Sequence, residues 1–186
     1  RALFIAQRYA DVAWRDIAMP IGCGQTAPPP SVAAAMIEAL DLDRALKVLE
    51  IGAGAGYATA LIARLAGRVL ALERCQSLAL EAASRLEALG VANVEIAWAD
   101  GLAAPAAAGP FDRIIVHALL NEPPAAFARL LAEGGVLVAG QSPESEPANE
   151  QRIARFRLSR DGVWTSETLG PARSFTPLVE GLARGL

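Results

Sequence analysis

The chain has 186 residues, 53% of them hydrophobic and 20% charged, with a net charge of -3; that suits one ordinary domain with a buried core and excludes a disordered tail. A pI of about 5.3 opposes an electrostatic grip on nucleic acid. Two cysteines, Cys23 and Cys75, are too few for a disulfide framework or a four-ligand zinc site and read as plain small side chains, and the single histidine, His117, excludes most histidine-based metal sites.

Residues 1–9 predict a short helix with Leu3, Phe4 and Ala6 as its apolar members. Residues 11–30 have weak periodicity and end in Pro28, Pro29 and Pro30, which predict a stiff, extended loop. Ser31 is the expected cap of a helix running to about Leu40. Residues 46–51 form a short apolar run closed by a glycine cluster, the pattern of a buried strand. A helix is expected from about Tyr57 to Leu65, and a second strand over residues 68–73. Leu78, Ala82, Leu86 and Leu89 recur at helical spacing until Gly90 stops the helix. A third strand follows at residues 94–98 and a fourth at 111–116, with the alanine-rich stretch 102–109 between them as a short helix or loop. Pro123 and Pro124 open a helix to about Ala132, and residues 135–139 are the fifth strand. Residues 141–149 read as a polar, mobile loop. Residues 152–158 and 163–169 flank Asp161-Gly162 as a β-hairpin, with Ala154, Phe156 and Leu158 on one face and Arg152, Arg155 and Arg157 expected to face solvent.

Alternating strands and helices predict an α/β fold: a Rossmann-like, doubly wound, mostly parallel sheet with helices on both faces and a C-terminal antiparallel β-hairpin. The expected organisation is a single domain over 1–186: a helical and loop segment on the substrate side (1–45), a cofactor-binding core (46–140), and a hairpin with tail (141–186). No apolar run approaches the ~18 residues of a membrane span. No signal peptide is visible, so a cytoplasmic location is the default. The first residue is Arg1 rather than Met, which suggests a piece of a longer chain.

The informative segment leaves the first parallel strand as Glu50-Ile51-Gly52-Ala53-Gly54-Ala55-Gly56-Tyr57. Small residues there let a ligand approach the main chain, and free amides at the following helix start can donate. The dinucleotide fingerprint fails because Tyr57 stands where its third glycine belongs. Glu50 would repel a pyrophosphate but not a sulfonium or an ammonium. Glu73 closes the second strand, where a carboxylate can accept from a ribose diol, although it can equally be a solvated strand-end charge. Asp100 follows the third strand, where it can accept from an adenine amino group, cap the next segment, or do both; Gly101 would leave space for the ring. Glu50 can alternatively bind loop amides and shape the turn, and His117 can simply satisfy a local hydrogen bond.

The glycine segment resembles motif I of class I S-adenosylmethionine-dependent methyltransferases, and the chain as a whole resembles the protein-L-isoaspartate O-methyltransferase family. Residues 14–22, Trp-Arg-Asp-Ile-Ala-Met-Pro-Ile-Gly, are similar to that family's opening segment, and Gly24-Gln25-Thr26 to its Gly-Gln-Thr signature. Leu72-Glu73-Arg74, Asp100-Gly101, residues 111–116 and Ser174-Phe175-Thr176-Pro177-Leu178 resemble its later motifs. The resemblance implies S-adenosylmethionine as cofactor, held by Glu50, Gly52, Ala53, Gly54, Gly56, Tyr57, Glu73, Arg74, Asp100 and Gly101, and no metal. It implies methylation of the free carboxyl of L-isoaspartyl residues in damaged proteins, with Gln25, Thr26 and His117 on the acceptor side. The partner would be a peptide or protein carrying isoaspartyl, not nucleic acid or membrane, and the chain a monomer or a dimer.

Two positions depart from the pattern. Ala27-Pro28 stands where the family has Ile-Ser, so an active-site hydroxyl is lost, and His117-Ala118-Leu119 replaces Thr-Ala-Ala. Three readings stay open: an isoaspartyl methyltransferase in which Thr26, His117 or water replaces the lost donor; a family member acting on another carboxyl or small acceptor; or a non-catalytic S-adenosylmethionine-binding module. A DNA methyltransferase is a weaker reading, because Asn121-Glu122-Pro123-Pro124 breaks the Asn/Asp-Pro-Pro-aromatic pattern.

Overall fold

The computed structural model describes residues 1–142, 150–172 and 175–184. Within these, seven strands form one sheet in the order β5-β4-β3-β6-β7-β8-β9. Five of them are parallel, from β5 at one edge inward: β3 (Lys47–Ile51), β4 (Arg68–Glu73), β5 (Val94–Trp98), β6 (Phe111–Leu119) and β7 (Leu131–Gln141). The hairpin strands β8 (Gln151–Leu158) and β9 (Trp164–Ala172) run antiparallel at one edge. A separate ribbon pairs β1 (Met19–Pro20) with β2 (Thr26–Ala27). The sequence pattern does not reveal that ribbon, because two-residue strands are too short to carry a period-2 alternation.

Four helices complete the order: α1 (Pro30–Ala39), α2 (Tyr57–Leu65), α3 (Gln76–Ala88) and α4 (Ala125–Leu130). Val48, Val69, Ala71, Ile115 and Val138 pack in one cluster with Met36 and Ile37 of α1 and Ile62 of α2. Leu49, Leu72, Ile114 and Leu137 meet Phe127 and Leu130 of α4 in a second cluster. Neighbouring strand residues alternate between these two clusters, as a sheet buried on both faces requires.

Several expectations are corrected. Ser31 does not cap α1: the helix begins at Pro30, which tolerates a first-turn position because it has no N–H to satisfy. The Ser31 hydroxyl instead donates to Asp16 Oδ2 at 2.6 Å, and its amide to Oδ1 at 2.9 Å. Two short 3-10 helices, Ala2–Phe4 and Gln7–Val12, stand where one helix was expected. Helix α4 stops at Leu130, because Leu131 is extended and pairs with Phe111. Leu89 lies past the end of α3 and is exposed. Arg155 is not simply solvated: its Nε donates to Ala39 O at 2.9 Å, and Arg113 Nε donates to Leu40 O, so two arginines serve the carbonyl end of α1. Most of the loop expected over 141–149 lies outside the described residues, as does Ser174.

Candidate active site

Strand order reverses at β3, which pairs with β4 on one side and β6 on the other. In an open α/β sheet, the crevice beyond the carboxyl ends of such strands is the place for a ligand. A cavity of about 250 Å³ lies there. Its floor is the loop after β3, one wall the ends of β4 and β5, the other wall residues 24–28, with the tail at 175–179 across the rim.

The loop after β3 takes its shape from alternating glycines. Gly52, Gly54 and Gly56 have φ of 85°, 55° and 92°, a region that side chains rarely adopt. Gly52 N donates to Leu72 O at 2.8 Å and Gly56 N to Ala53 O at 2.9 Å, folding the main chain into a bare bend ahead of α2. Gly52, Ala53, Gly54 and Tyr57 line the cavity; Gly56 does not, its ideal Cβ position lying 3.1 Å from Ala82 Cβ of α3.

Glu73 is 5% exposed and lines the cavity. Its Oε2 accepts from Gly54 N and its Oε1 from Cys75 N, both at 2.8 Å, so the carboxylate stitches the glycine bend to the start of α3. Each oxygen retains a lone pair for a further donor. Asp100 performs the capping role: Oδ1 accepts from Leu102 N at 2.9 Å. Its Oδ2 accepts from Gly181 N at 2.7 Å, an anchor with no signal in the sequence pattern. Gly101 lines the cavity, but its lack of a side chain also serves packing, because a Cβ there would lie 2.5 Å from Ile51 Cγ2.

The tail is the largest addition to the expected site. Leu119 N donates to Thr176 O at 2.9 Å, Ala183 N to Arg74 O at 2.8 Å, and Gln76 N to Ala183 O at 2.8 Å. Arg74 Nε donates to Gly181 O at 3.0 Å, and Trp98 Nε1 donates to Arg74 O at 2.9 Å. Arg74 therefore lines the cavity while holding the strap that crosses it.

Glu50 is fully buried and does not line the cavity. Its Oε1 lies 2.8 Å from His117 Nε2, and no loop amide binds it, so its partner is the imidazole rather than the turn. His117 does line the cavity. Glu50 Oε2 and His117 Nδ1 are buried without hydrogen-bond partners among the described residues. On the opposite wall Gln25 and Thr26 are exposed and face the same space. Among the described residues the Gln25 side chain makes only a long 3.5 Å contact, from Nε2 to Cys23 O. Arg1 braces this wall by donating to Ile17 O and Pro28 O, both at 2.8 Å. Burial pushes the Arg1 guanidinium below its ordinary pKa. Among the described residues no group of His, Cys, Asp and Glu side chains could hold a metal ion.

The sequence model of the Protein-L-isoaspartate(D-aspartate) O-methyltransferase family matches residues 1–183. The chain is 43% identical over 186 residues to a protein-L-isoaspartate O-methyltransferase of Rhodopseudomonas palustris (strain BisA53), covering 100% of this chain and 84% of that protein. A protein of the same name from Maricaulis maris (strain MCS10) is 42% identical over the same span, with 84% of its length covered. Among solved structures, one named protein-L-isoaspartate O-methyltransferase superposes with a TM-score of 0.78 at 25% identity, covering 95% of this chain and 57% of that one. A candidate enzyme of this kind from Plasmodium falciparum, in complex with S-adenosyl-L-homocysteine, superposes at 0.76 with 22% identity, covering 96% and 85% of the two chains. With the family model matching residues 1–183 and relatives 43% and 42% identical along this chain, the chain belongs to the protein-L-isoaspartate(D-aspartate) O-methyltransferase family.

Proposed function

We propose that the chain methylates the free α-carboxyl of L-isoaspartyl residues in damaged proteins, using S-adenosylmethionine, as a step in protein repair. The observation that carries this reading is a single cavity bounded on one side by the glycine bend, Glu73 and Asp100 and on the other by Gln25 and Thr26.

The residues present fit the cofactor. The bare main chain from Gly52 to Gly54 admits close approach, and Tyr57 and Leu72 offer apolar surface beside it. Glu73 and Asp100 keep acceptor capacity suited to hydroxyl and amino donors. When bound, S-adenosylmethionine supplies a methyl group on a cationic sulfur. The chain's own task is then mostly positioning. A carboxyl with an ordinary pKa of about 4 is already ionised at neutral pH and needs no general base. Gln25 and Thr26 orient it through amide and hydroxyl donors. The wall behind them is stiffened by Pro28, Pro29 and Pro30, which lowers the ordering cost of binding. His117, held by Glu50, stands where the acceptor side departs from the family pattern.

A second reading keeps the cofactor and changes the acceptor to another carboxyl or small molecule. The loss of a hydroxyl at Pro28 and the buried imidazole of His117 favour it. The test is radiolabelled methyl transfer to an isoaspartyl peptide and to its aspartyl twin. Base-labile label on the isoaspartyl peptide alone is the expected result. No label on either, with S-adenosylhomocysteine still bound, overturns it in favour of the second reading or of a non-catalytic binding module. We further propose that the segments 1–45, 46–140 and 141–186 act as one unit in the cytoplasm, as a monomer, on proteins rather than nucleic acid or membranes. Among the described residues no helix is long and apolar enough to cross a membrane.

A further inference from the structure

The sequence reads Cys23 and Cys75 as plain small side chains. The structure instead joins them in a disulfide, with their Cα atoms 6.7 Å apart across a sequence separation of 52. This Cα spacing lies at the upper end of the range that disulfides span. Neither residue lines the cavity, yet they sit directly beside its two opposing walls. Cys23 is two residues before Gln25; Cys75 is two residues after Glu73 and donates its amide to that carboxylate.

The position of Cys23 has little local rationale. Gln25 N donates to Gly22 O at 2.7 Å across a tight turn whose central residues, Cys23 and Gly24, have φ of 52° and 67°. Such a turn favours Gly, Asn or Asp, not cysteine. What cysteine provides there is the tie to Cys75. The two sulfurs also differ in character. Cys23 is half-buried, whereas Cys75 is 2% exposed. Cys75 stands at the N-cap of α3. Ser77 Oγ lies 3.3 Å from the Cys23 sulfur and 3.4 Å from that of Cys75, within reach of either.

We propose that Cys23 and Cys75 form a reversible redox modification site that pins the acceptor wall to the cofactor wall and slows cofactor exchange when oxidised. This rests on the methyltransferase reading only for its effect on the cofactor. The oxidant is a peroxide: the Cys23 thiol gives up its proton, the thiolate attacks one peroxide oxygen, the O–O bond breaks, and a sulfenic acid forms while the departing hydroxide takes up that proton as one water. The Cys75 thiolate then attacks the Cys23 sulfur, the S–O bond breaks, and the departing hydroxide takes a proton to leave as a second water. Two thiols are oxidised by two electrons and one peroxide is reduced. In the reverse direction a dithiol reductant attacks the more exposed Cys23 sulfur and expels the Cys75 thiolate. A second attack within the reductant frees Cys23.

The full chain is treated with dilute hydrogen peroxide or with a dithiol, and S-adenosylhomocysteine is the probe. The oxidised chain should be lighter by two hydrogen atoms and resist thiol alkylation. Its release of S-adenosylhomocysteine should be slower than that of the reduced chain by about tenfold, in a step governed by opening. Cys23→Ser and Cys75→Ser should each release at the reduced rate after either treatment. Two alkylatable thiols after peroxide, or equal or faster release from the oxidised chain, overturn the proposal. Amide hydrogen exchange over residues 22–26 gives a readout free of the cofactor: slower exchange in the oxidised wild type supports the pin, and equal exchange refutes it. Failure of both forms to bind S-adenosylhomocysteine would defeat the methyltransferase reading instead, and the exchange result would still decide the pin.

Discussion

The two walls of the cavity are built differently. The wall we assign to the cofactor is mostly main chain held by main chain: parallel strands buried on both faces and a glycine bend bonded to Leu72, with a buried glutamate that accepts two amides. The wall we assign to the acceptor is a ribbon of two two-residue strands and a proline run, held by side chains reaching to carbonyls, chiefly Arg1 to Pro28, and by the Asp16 contact to Ser31. A wall of the first kind tolerates few substitutions, since each change disturbs packing or a buried bond. A wall of the second kind can carry Pro28 where the resembled pattern has a serine and keep its path, whereas His117 departs from that pattern within the sheet itself, on β6, and is matched there by the buried Glu50. Substitution is therefore expected more readily in the ribbon and proline run than in the sheet.

The sharpest challenge to this contrast is Glu50. Glu50→Ala leaves the buried His117 imidazole without its 2.8 Å partner and should cost about 3 kcal/mol of stability by urea unfolding. A loss comparable with that of an exposed substitution would mean the pair contributes little to the floor. Glu73→Ala comes next. Removing an acceptor of two amides should weaken S-adenosylhomocysteine binding by roughly 1–3 kcal/mol in calorimetry. An unchanged affinity would place Glu73 outside the cofactor's reach.

On the other wall, Pro28→Ser restores a hydroxyl and should raise kcat on an isoaspartyl peptide by about fivefold, the worth of one hydrogen bond. A flat or lower rate would assign the proline run to a different acceptor. The smallest effect concerns Asp16, whose carboxyl is held below its ordinary range first by the Ser31 hydroxyl and then by the Ser31 amide. A depressed folded pKa means the contribution is present above the unfolded value of about 3.9 and is lost as pH falls through the folded one. Asp16→Asn should therefore be less stable than wild type at neutral pH, and the gap in thermal unfolding midpoint should close in strong acid. A gap independent of pH would show that the charge does not matter.

Much of the cofactor wall is legible in the sequence. Residues 57–65, 68–73 and 94–98 form the elements expected of them, because apolar periodicity and glycine punctuation are local signals. The bend at Gly52, Gly54 and Gly56 follows from the same signals. Local signals mislead where the partner is distant or the element short. Ser31 looks like a helix cap in sequence, yet Asp16 takes its hydroxyl. The fourth helix looks longer in sequence, yet pairing with Phe111 turns Leu131 into strand. Arg155 alternates with buried neighbours like a solvent residue, yet finds a carbonyl of α1.

From composition, hydrophobic period and motif spacing alone come the α/β layering, the glycine bend and the acids at the carboxyl ends of three successive strands. These depend on interactions within a few residues, whose energetics repeat in any chain with the same pattern. Tertiary structure alone decided that Asp100 and Arg74 hold the strap at Gly181, that Glu50 serves His117, and that Cys23 meets Cys75. Those contacts join residues far apart in sequence, and loop closure leaves no periodic trace. They form only when the sheet has brought the strand ends together.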